Sequence, residues 1–187
     1  MGLREQKKKR TRKAISDMAT LLFIERGYHQ VTTAEIAEKA GVSVPTLFNY
    51  FPTKEAMVFD EDRAIEAGLI DTVVKRRPGQ SIVEALIEAG FSGIDVDHAE
   101  HQQQVASFMA LVDNTPELSR YAKDMWLRHE ASLASAILAS SQAPISPLQA
   151  QVIAHYILDA FQRAIRTQDP NGTLKALLTL LADGWRG

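Results

Sequence analysis

The chain has 187 residues, 45% of them hydrophobic and 24% charged, with a net charge of -2 and no cysteine. That length suits one large or two small domains of ordinary globular composition, and the missing cysteines exclude disulfide frameworks and thiolate metal sites. No apolar run approaches the ~20 residues of a membrane-spanning helix, and Asp17 and Glu25 interrupt the segment behind the basic N-terminus, against a signal peptide, so a cytoplasmic location is expected.

Charge is unevenly spread. Residues 1–54 hold ten Lys/Arg and five Asp/Glu, a net of +5, and the remainder eleven and eighteen, a net of -7. Seven bases (Arg4, Lys7, Lys8, Lys9, Arg10, Arg12, Lys13) crowd the first thirteen residues beside Glu5. A basic head on an acidic body suggests that the head alone meets a polyanion; a solvated tail is the alternative. A first helix is predicted over residues 9–26, with Ile15, Met18, Ala19, Leu22 and Phe23 on one stripe and Gly27 as its stop. Thr32 and Glu35 have capping-box spacing, with Val31 and Ile36 as a staple, and open a second helix over 33–40. Gly41 breaks the chain, Ser43 caps a third helix over 44–51, and Pro45 sits harmlessly in its first turn.

Longer helices follow between proline and glycine stops: 54–76, then 81–89 opened by Ser81 and Glu84, then 97–112 opened by Asp97 and Glu100. Thr115-Pro116, Ser146-Pro147 and Asp169-Pro170 open three more, each a capping residue followed by proline at the first helical position. No segment alternates like a strand. The expected fold class is all-α, with about nine helices.

Two short helices meeting at a glycine, residues 32–51, have the layout of a helix-turn-helix. Ile36, Ala37, Ala40, Val42, Leu47 and Phe51 would form its core with the first helix. The second helix of such a unit enters the major groove with its N-terminal residues at base edges. Val44 and Pro45 suit thymine methyls, Thr46 a base or a phosphate, and Asn49 a bidentate pair with adenine. Tyr50 and Lys54 suit phosphates, which position without reading sequence. Thr32 and Thr33 present free backbone N–H groups to another phosphate.

The run TTAEIAEKAGVSVPTLFNYFPTKE at 32–55, preceded by LFIERGY at 22–28, resembles the DNA-binding signature of the TetR family of transcriptional regulators. The resemblance covers residues 9–58, under a third of the chain. It implies a basic arm and helix-turn-helix domain over 1–54 and a helical ligand-binding and dimerisation domain over 55–187. Val44, Pro45, Thr46, Asn49, Tyr50 and Lys54 match positions that commonly touch DNA. Phe48 stands where the family often has tyrosine and reads as a packing residue. The family usually acts as a homodimer on a palindromic operator in double-stranded DNA, most often as a repressor, and lets go when a small-molecule effector enters the second domain.

The dimer expectation has its own physical support. The eighth helix shows a broad apolar face including Val152, Tyr156 and Phe161, and the ninth carries Leu174, Leu177, Leu178 and Leu181 on more than one stripe. A terminal helix apolar on several sides must bury more than one face, and two such helices from each chain can build a two-fold four-helix bundle. Burial inside a single chain is the alternative. The effector pocket follows from the resemblance: Phe91, Phe108, Met109, Tyr121, Met125, Trp126 and His129 are its candidate lining, with ordinary core packing the alternative for each. His98 and His101 can share a helix face within Asp95-Val96-Asp97-His98-Ala99-Glu100-His101, but the spacing does not place a carboxylate as their partner ligand; an exposed helix start is the expected reading, with no metal and no cofactor. Phosphate loops, nucleophile elbows and paired carboxylates are absent. A catalytic role is not expected; the competing readings are an architectural DNA-binding protein without an effector and, further off, an all-α enzyme.

Overall fold

The computed structural model describes residues 2–91, 99–141 and 143–184, with the side chains of 99–101 left aside. Among the described residues there are nine α-helices and no strand: α1 (Leu3–Arg26), α2 (Thr33–Lys39), α3 (Val44–Tyr50), α4 (Asp62–Val74), α5 (Ile82–Ala89), α6 (Ala99–Asn114), α7 (Pro116–Ser140), α8 (Pro147–Ala164) and α9 (Pro170–Asp183). Single 3-10 turns follow α1 (Tyr28–Gln30) and α3 (Glu55–Met57). The all-α expectation and the helix count hold. No helix among the described residues is long and apolar enough to cross a membrane.

The caps explain most boundaries. Ser81 and Glu84, and again Ser146 and Gln149, exchange both bonds of a capping box, and Asp169 accepts the Gly172 N–H at 2.8 Å. Each satisfies backbone donors that a helix start leaves orphaned. Gly27 ends α1 at φ +86°, and Gly41 turns the chain between α2 and α3 at φ +67°; both are conformations that a Cβ disfavours.

Two boundaries differ from expectation. α1 begins at Leu3, so the basic arm forms its first turns and is not an extended tail. The fourth helix begins at Asp62, not at residue 54. Ala56, Met57 and Val58 are all buried, and three consecutive residues cannot share one helix face. The 3-10 turn, in which Thr53 Oγ1 accepts the Ala56 N–H at 3.3 Å, delivers all three to the core.

The helices gather into two compact units. The first comprises Met1–Asp62 with Ser107–Lys123, and the second Arg63–Ala106 with Asp124–Gly187. In the first, Ile15, Ala19, Leu22 and Phe23 of α1 pack with Ile36, Leu47, Phe51, Met57 and Leu118. In the second, Leu86, Leu133, Ile137, Ile157, Leu174 and Leu178 form the centre. Arg76 ties two helix ends together there, its guanidinium donating to the Val73, Gln80 and Ser140 carbonyls.

The apolar stripes of α8 and α9 divide between inside and outside. Leu174 and Leu178, expected at a dimer face, are buried within the chain against α5 and α8. Their i, i+4 spacing gives the intramolecular core a continuous ridge, which leaves them unavailable to a second copy. Tyr156, Phe161, Leu177 and Leu181 are half-buried, whereas Val152 is 61% exposed and its neighbour one turn back, Leu148, is 69% exposed.

Candidate nucleic-acid interface

α2 and α3 are each seven residues long, too short to persist alone. Caps and a few anchors hold them. Thr32 Oγ1 accepts the Glu35 N–H at 3.2 Å, and Ser43 Oγ accepts the Thr46 N–H at 3.2 Å. The reciprocal half of the expected box at Thr32 is missing, because the Glu35 carboxylate pairs instead with Arg26 at the end of α1. Between the two helices the Val42 N–H reaches the Ala37 carbonyl at 2.9 Å, which fixes the turn. Leu47 and Phe51, spaced i, i+4, are fully buried and dock α3 onto α1 and α2.

That docking decides what α3 presents. With Leu47 and Phe51 turned inward, Pro45, Phe48 and Asn49 (i, i+3, i+4) are the exposed residues and share the outer face. Val44 and Tyr50 flank it, half-buried, and both pack against the core. Thr46 is also half-buried, and its hydroxyl lies 2.8 Å from Ser43 Oγ, so it is engaged in the cap. Phe48, expected to pack, is 44% exposed. The spacing Pro45-Phe48-Asn49 was the signal in the sequence: once Leu47 and Phe51 take the inner face, Pro45 and Asn49 fall opposite and Phe48 on the flank beside them.

Lys54 lies differently from its expected place at a phosphate. Its ammonium is turned into the head, donates to the Tyr28 carbonyl, and sits 4.1 Å from the Tyr28 ring centroid and 4.9 Å from that of Phe23. Burial pushes its pKa below the ordinary lysine value. Beside it, the Tyr28 hydroxyl donates to Glu55 Oε1 at 2.5 Å. Burial and that bond to a carboxylate push the Tyr28 pKa well up. Burial alone would raise Glu55, but the Tyr28 hydroxyl and further hydrogen bonds outweigh it and hold the carboxyl below its ordinary value.

Arg12 is likewise more than an arm base. Nη1 donates to the Tyr50 carbonyl at 2.8 Å, Nε pairs with Asp60, and the guanidinium lies 4.2 Å over the Phe51 ring. It therefore clamps the C-terminal end of α3 to α1. Lys13 is spent on Asp17 at 2.8 Å, a bond that raises its pKa. Thr32 is exposed and Thr33 half-buried at the start of α2. The arrangement as a whole presents one apolar and amide-bearing helix face, rigidly seated, with hydroxyls at a helix start beside it. Such a face suits base edges, since an amide pairs with adenine and apolar groups with the thymine methyl.

The candidate pocket residues fall into two groups. Phe108 and Tyr121 pack on Phe59 in the first unit, at 6.1 and 5.2 Å between ring centroids, with Met109 half-buried on the same stretch of α6. In the second unit Met125 and His129 are buried, Trp126 meets His129 edge-on at 5.2 Å, and Phe91 meets Phe161 at 5.4 Å. The His98–His101 pair lies outside the described side chains.

Residues 15–60 match the family described as bacterial regulatory proteins, tetR family. The chain is 26% identical to the HTH-type transcriptional repressor KstR2 of Rhodococcus jostii, over 92% of this chain and 90% of that one. It is 31% identical to the HTH-type transcriptional regulator TcmR of Streptomyces glaucescens, over 63% of this chain and 54% of that one. Among solved structures, the repressor FadR of Thermus thermophilus, crystallised with lauroyl-CoA, shares the fold with a TM-score of 0.59 at 24% identity, over 94% of this chain and 95% of that one.

Proposed function

Since the chain belongs to the TetR family of bacterial regulatory proteins, we propose that this DNA-binding transcriptional regulator is a dimeric repressor that leaves a palindromic operator when a small molecule enters its second unit. One observation carries the DNA half of the reading. Pro45, Phe48 and Asn49 stand together on the outer face of a capped helix whose inner face is locked by Leu47 and Phe51. Asn49 pairs with an adenine and Phe48 with Pro45 covers thymine methyls. Thr32, Thr33 and Tyr50 hold phosphates, and Val44 adds an apolar contact beside Pro45 at the thymine methyls. Lys54 acts through the head it braces, keeping α1 and the 3-10 turn after α3 in register.

The dimer forms through α8 and α9. Leu148 and Val152 on α8 with Leu180 on α9 are the exposed large apolar side chains among the described residues of these helices, and Tyr156, Phe161, Leu177 and Leu181 border them. A two-fold dimer sets half-sites about one helical turn, or a multiple of it, apart.

The effector carries an apolar group, as does the lauroyl-CoA with which the Thermus repressor was crystallised. It binds in the second unit near Phe91, Met125 and Trp126, where buried His129 supplies a polar group. The ligand shifts the protein between DNA-competent and released states by as much as its affinities for the two differ. The protein carries out no catalysis and works in the cytoplasm.

Incubating the purified protein with sheared DNA of its source genome and sequencing the retained fragments tests this. Enrichment of a few palindromes establishes the specific dimeric regulator. Uniform weak retention, persisting after denaturation and refolding to strip bound ligand, refutes it. Sedimentation of a Val152→Asp variant tests the dimer face, with a monomer expected and an intact dimer the refuting result.

A further inference from the structure

α8 runs between two neighbours in the second unit. The Tyr156 hydroxyl donates to the Leu177 carbonyl of α9 at 3.3 Å, and His155 Nδ1 lies 2.8 Å from Glu130 Oε2 of α7. Consecutive helix residues point about 100° apart, so α7 and α9 flank α8 on its two sides, and Leu148 and Val152 point outward between them. α7 has an outward face of its own. Leu127, Ala131, Ser135 and Leu138, at i, i+4, i+8 and i+11, share one stripe and are all exposed, Leu127 by 64% and Leu138 by 40%. The stripe carries no charge, whereas a solvated helix face is ordinarily charged and polar. The Glu130–His155 pair joins the two faces at their seam, since Glu130 stands three residues from Leu127 and His155 three from Val152. From Asp124 onward α7 belongs to the same compact unit as α8 and α9.

A stable dimer buries about 800 Å² on each partner, about 20–30 residues a side, with charge depleted at the centre. α8 and α9 offer three exposed large apolar side chains, Leu148, Val152 and Leu180, too few for the core of such a contact. α7 supplies two more on a surface continuous with that of α8. We infer that the self-association face extends from α8 across α7, so that a second copy of the chain covers Leu127, Leu138 and the Glu130–His155 pair, and association takes up a proton at His155. The inference rests on the reading of α8 and α9 as the dimer face. Its proton link follows from desolvation. In the single chain His155 is exposed, and water screens its pairing with Glu130. Once a second copy excludes that water, a neutral imidazole leaves the half-buried Glu130 carboxylate without counter-charge, which costs far more than in water. On α8 itself, Asp159 stands one turn from His155 and is engaged by Arg163 at 2.6 Å; on α7, His129 is buried on the inner side. Imidazole changes its charge between about pH 5 and 8, so association strengthens as pH falls through that range.

The test is sedimentation equilibrium of the full-length protein at about pH 8, 7 and 6, comparing wild type with L127K, H155Q and V152D. The three replaced side chains are exposed, so far-UV circular dichroism should show wild-type helix content in each variant. The wild-type dimer should tighten up to about a hundredfold from the highest to the lowest pH, about tenfold for each of its two pairs. H155Q should lose that dependence, and L127K should weaken the dimer by about tenfold or more at every pH. If V152D dissociates the dimer and L127K does not, the dimer reading of α8 stands and the inference is overturned. Equal pH dependence in wild type and H155Q also overturns it. If L127K dissociates the dimer and V152D does not, the reading of α8 and α9 fails and the α7 face stands. A wild type that is monomeric throughout overturns both.

Discussion

Replacing Phe48 by alanine separates a DNA contact from a packing residue. The ring is 44% exposed, whereas Phe23 and Phe51 in the same unit are essentially closed to solvent. Full burial would make the truncation cost about 3–5 kcal/mol of stability; a ring already half in water should cost only about 1 kcal/mol. Covering a thymine methyl with the ring removes roughly 40–60 Å² of apolar surface from water, or about 1–1.5 kcal/mol per half-site at ~25 cal/mol/Å². Two half-sites make that about 2–3 kcal/mol, roughly a thirty- to 150-fold loss of operator affinity.

The assay exchanges each thymine of an enriched operator fragment for deoxyuridine, which deletes the methyl and nothing else. At one symmetry-related position the wild type should lose about 0.8 kcal/mol per half-site, about fourfold, and Phe48→Ala should lose nothing further there. If the variant remains as sensitive as the wild type at every thymine, Phe48 reads no methyl and its exposure has another cause.

Three further predictions follow from the same geometry. Asn49→Ala, at an exposed position, should leave the melting temperature nearly unchanged and cost about 1–3 kcal/mol at one A·T pair per half-site, measured on a library of single-base variants; equal loss at every position refutes its reading role. Arg12→Ala removes the hydrogen bond to the Tyr50 carbonyl at 2.8 Å, the contact over Phe51 and the Asp60 pair. With the pair discounted for its partial exposure, the cost is about 1–3 kcal/mol. Amide exchange along α3 reports it, Arg12→Lys should recover less than half for want of the planar fork, and wild-type protection in the alanine variant refutes the clamp. Glu55 titrates below its ordinary 4.5 in the folded chain, so on acidification the unfolded state takes up the proton first. Its contribution is complete above 4.5 and lost as pH falls through the lower folded value. Glu55→Gln should therefore flatten the acid limb of urea stability, and parallel limbs for the two proteins refute the assignment.

The order and ends of the helices were written in short-range chemistry. A capping serine, threonine or aspartate satisfies N–H groups three residues on, and a proline after it tolerates the lost donor, so Ser81, Ser146-Pro147 and Asp169-Pro170 mark helix starts without reference to the rest of the chain. The helix-turn-helix followed in the same way from Gly41 and the anchors on either side of it. Partner choice did not. Thr32 and Glu35 have the spacing of a reciprocal box, but Arg26, nine residues away, competes for the carboxylate and takes it. Lys54 ends in the head, since the Tyr28 carbonyl and two aromatic faces converge where its side chain reaches. Arg12 became a clamp because Tyr50 and Asp60 arrive beside it.

The apolar stripes show the same division. Periodicity said that α9 buries more than one face; only the packing of α5 and α8 decided that Leu174 and Leu178 face inward while Leu180 and, on α8, Val152 face out. Caps and turns depend on neighbours within four residues, and so are determined by sequence alone. Which face is inside, and which charge finds which partner, depends on surfaces brought together from far along the chain, and the tertiary structure decides it.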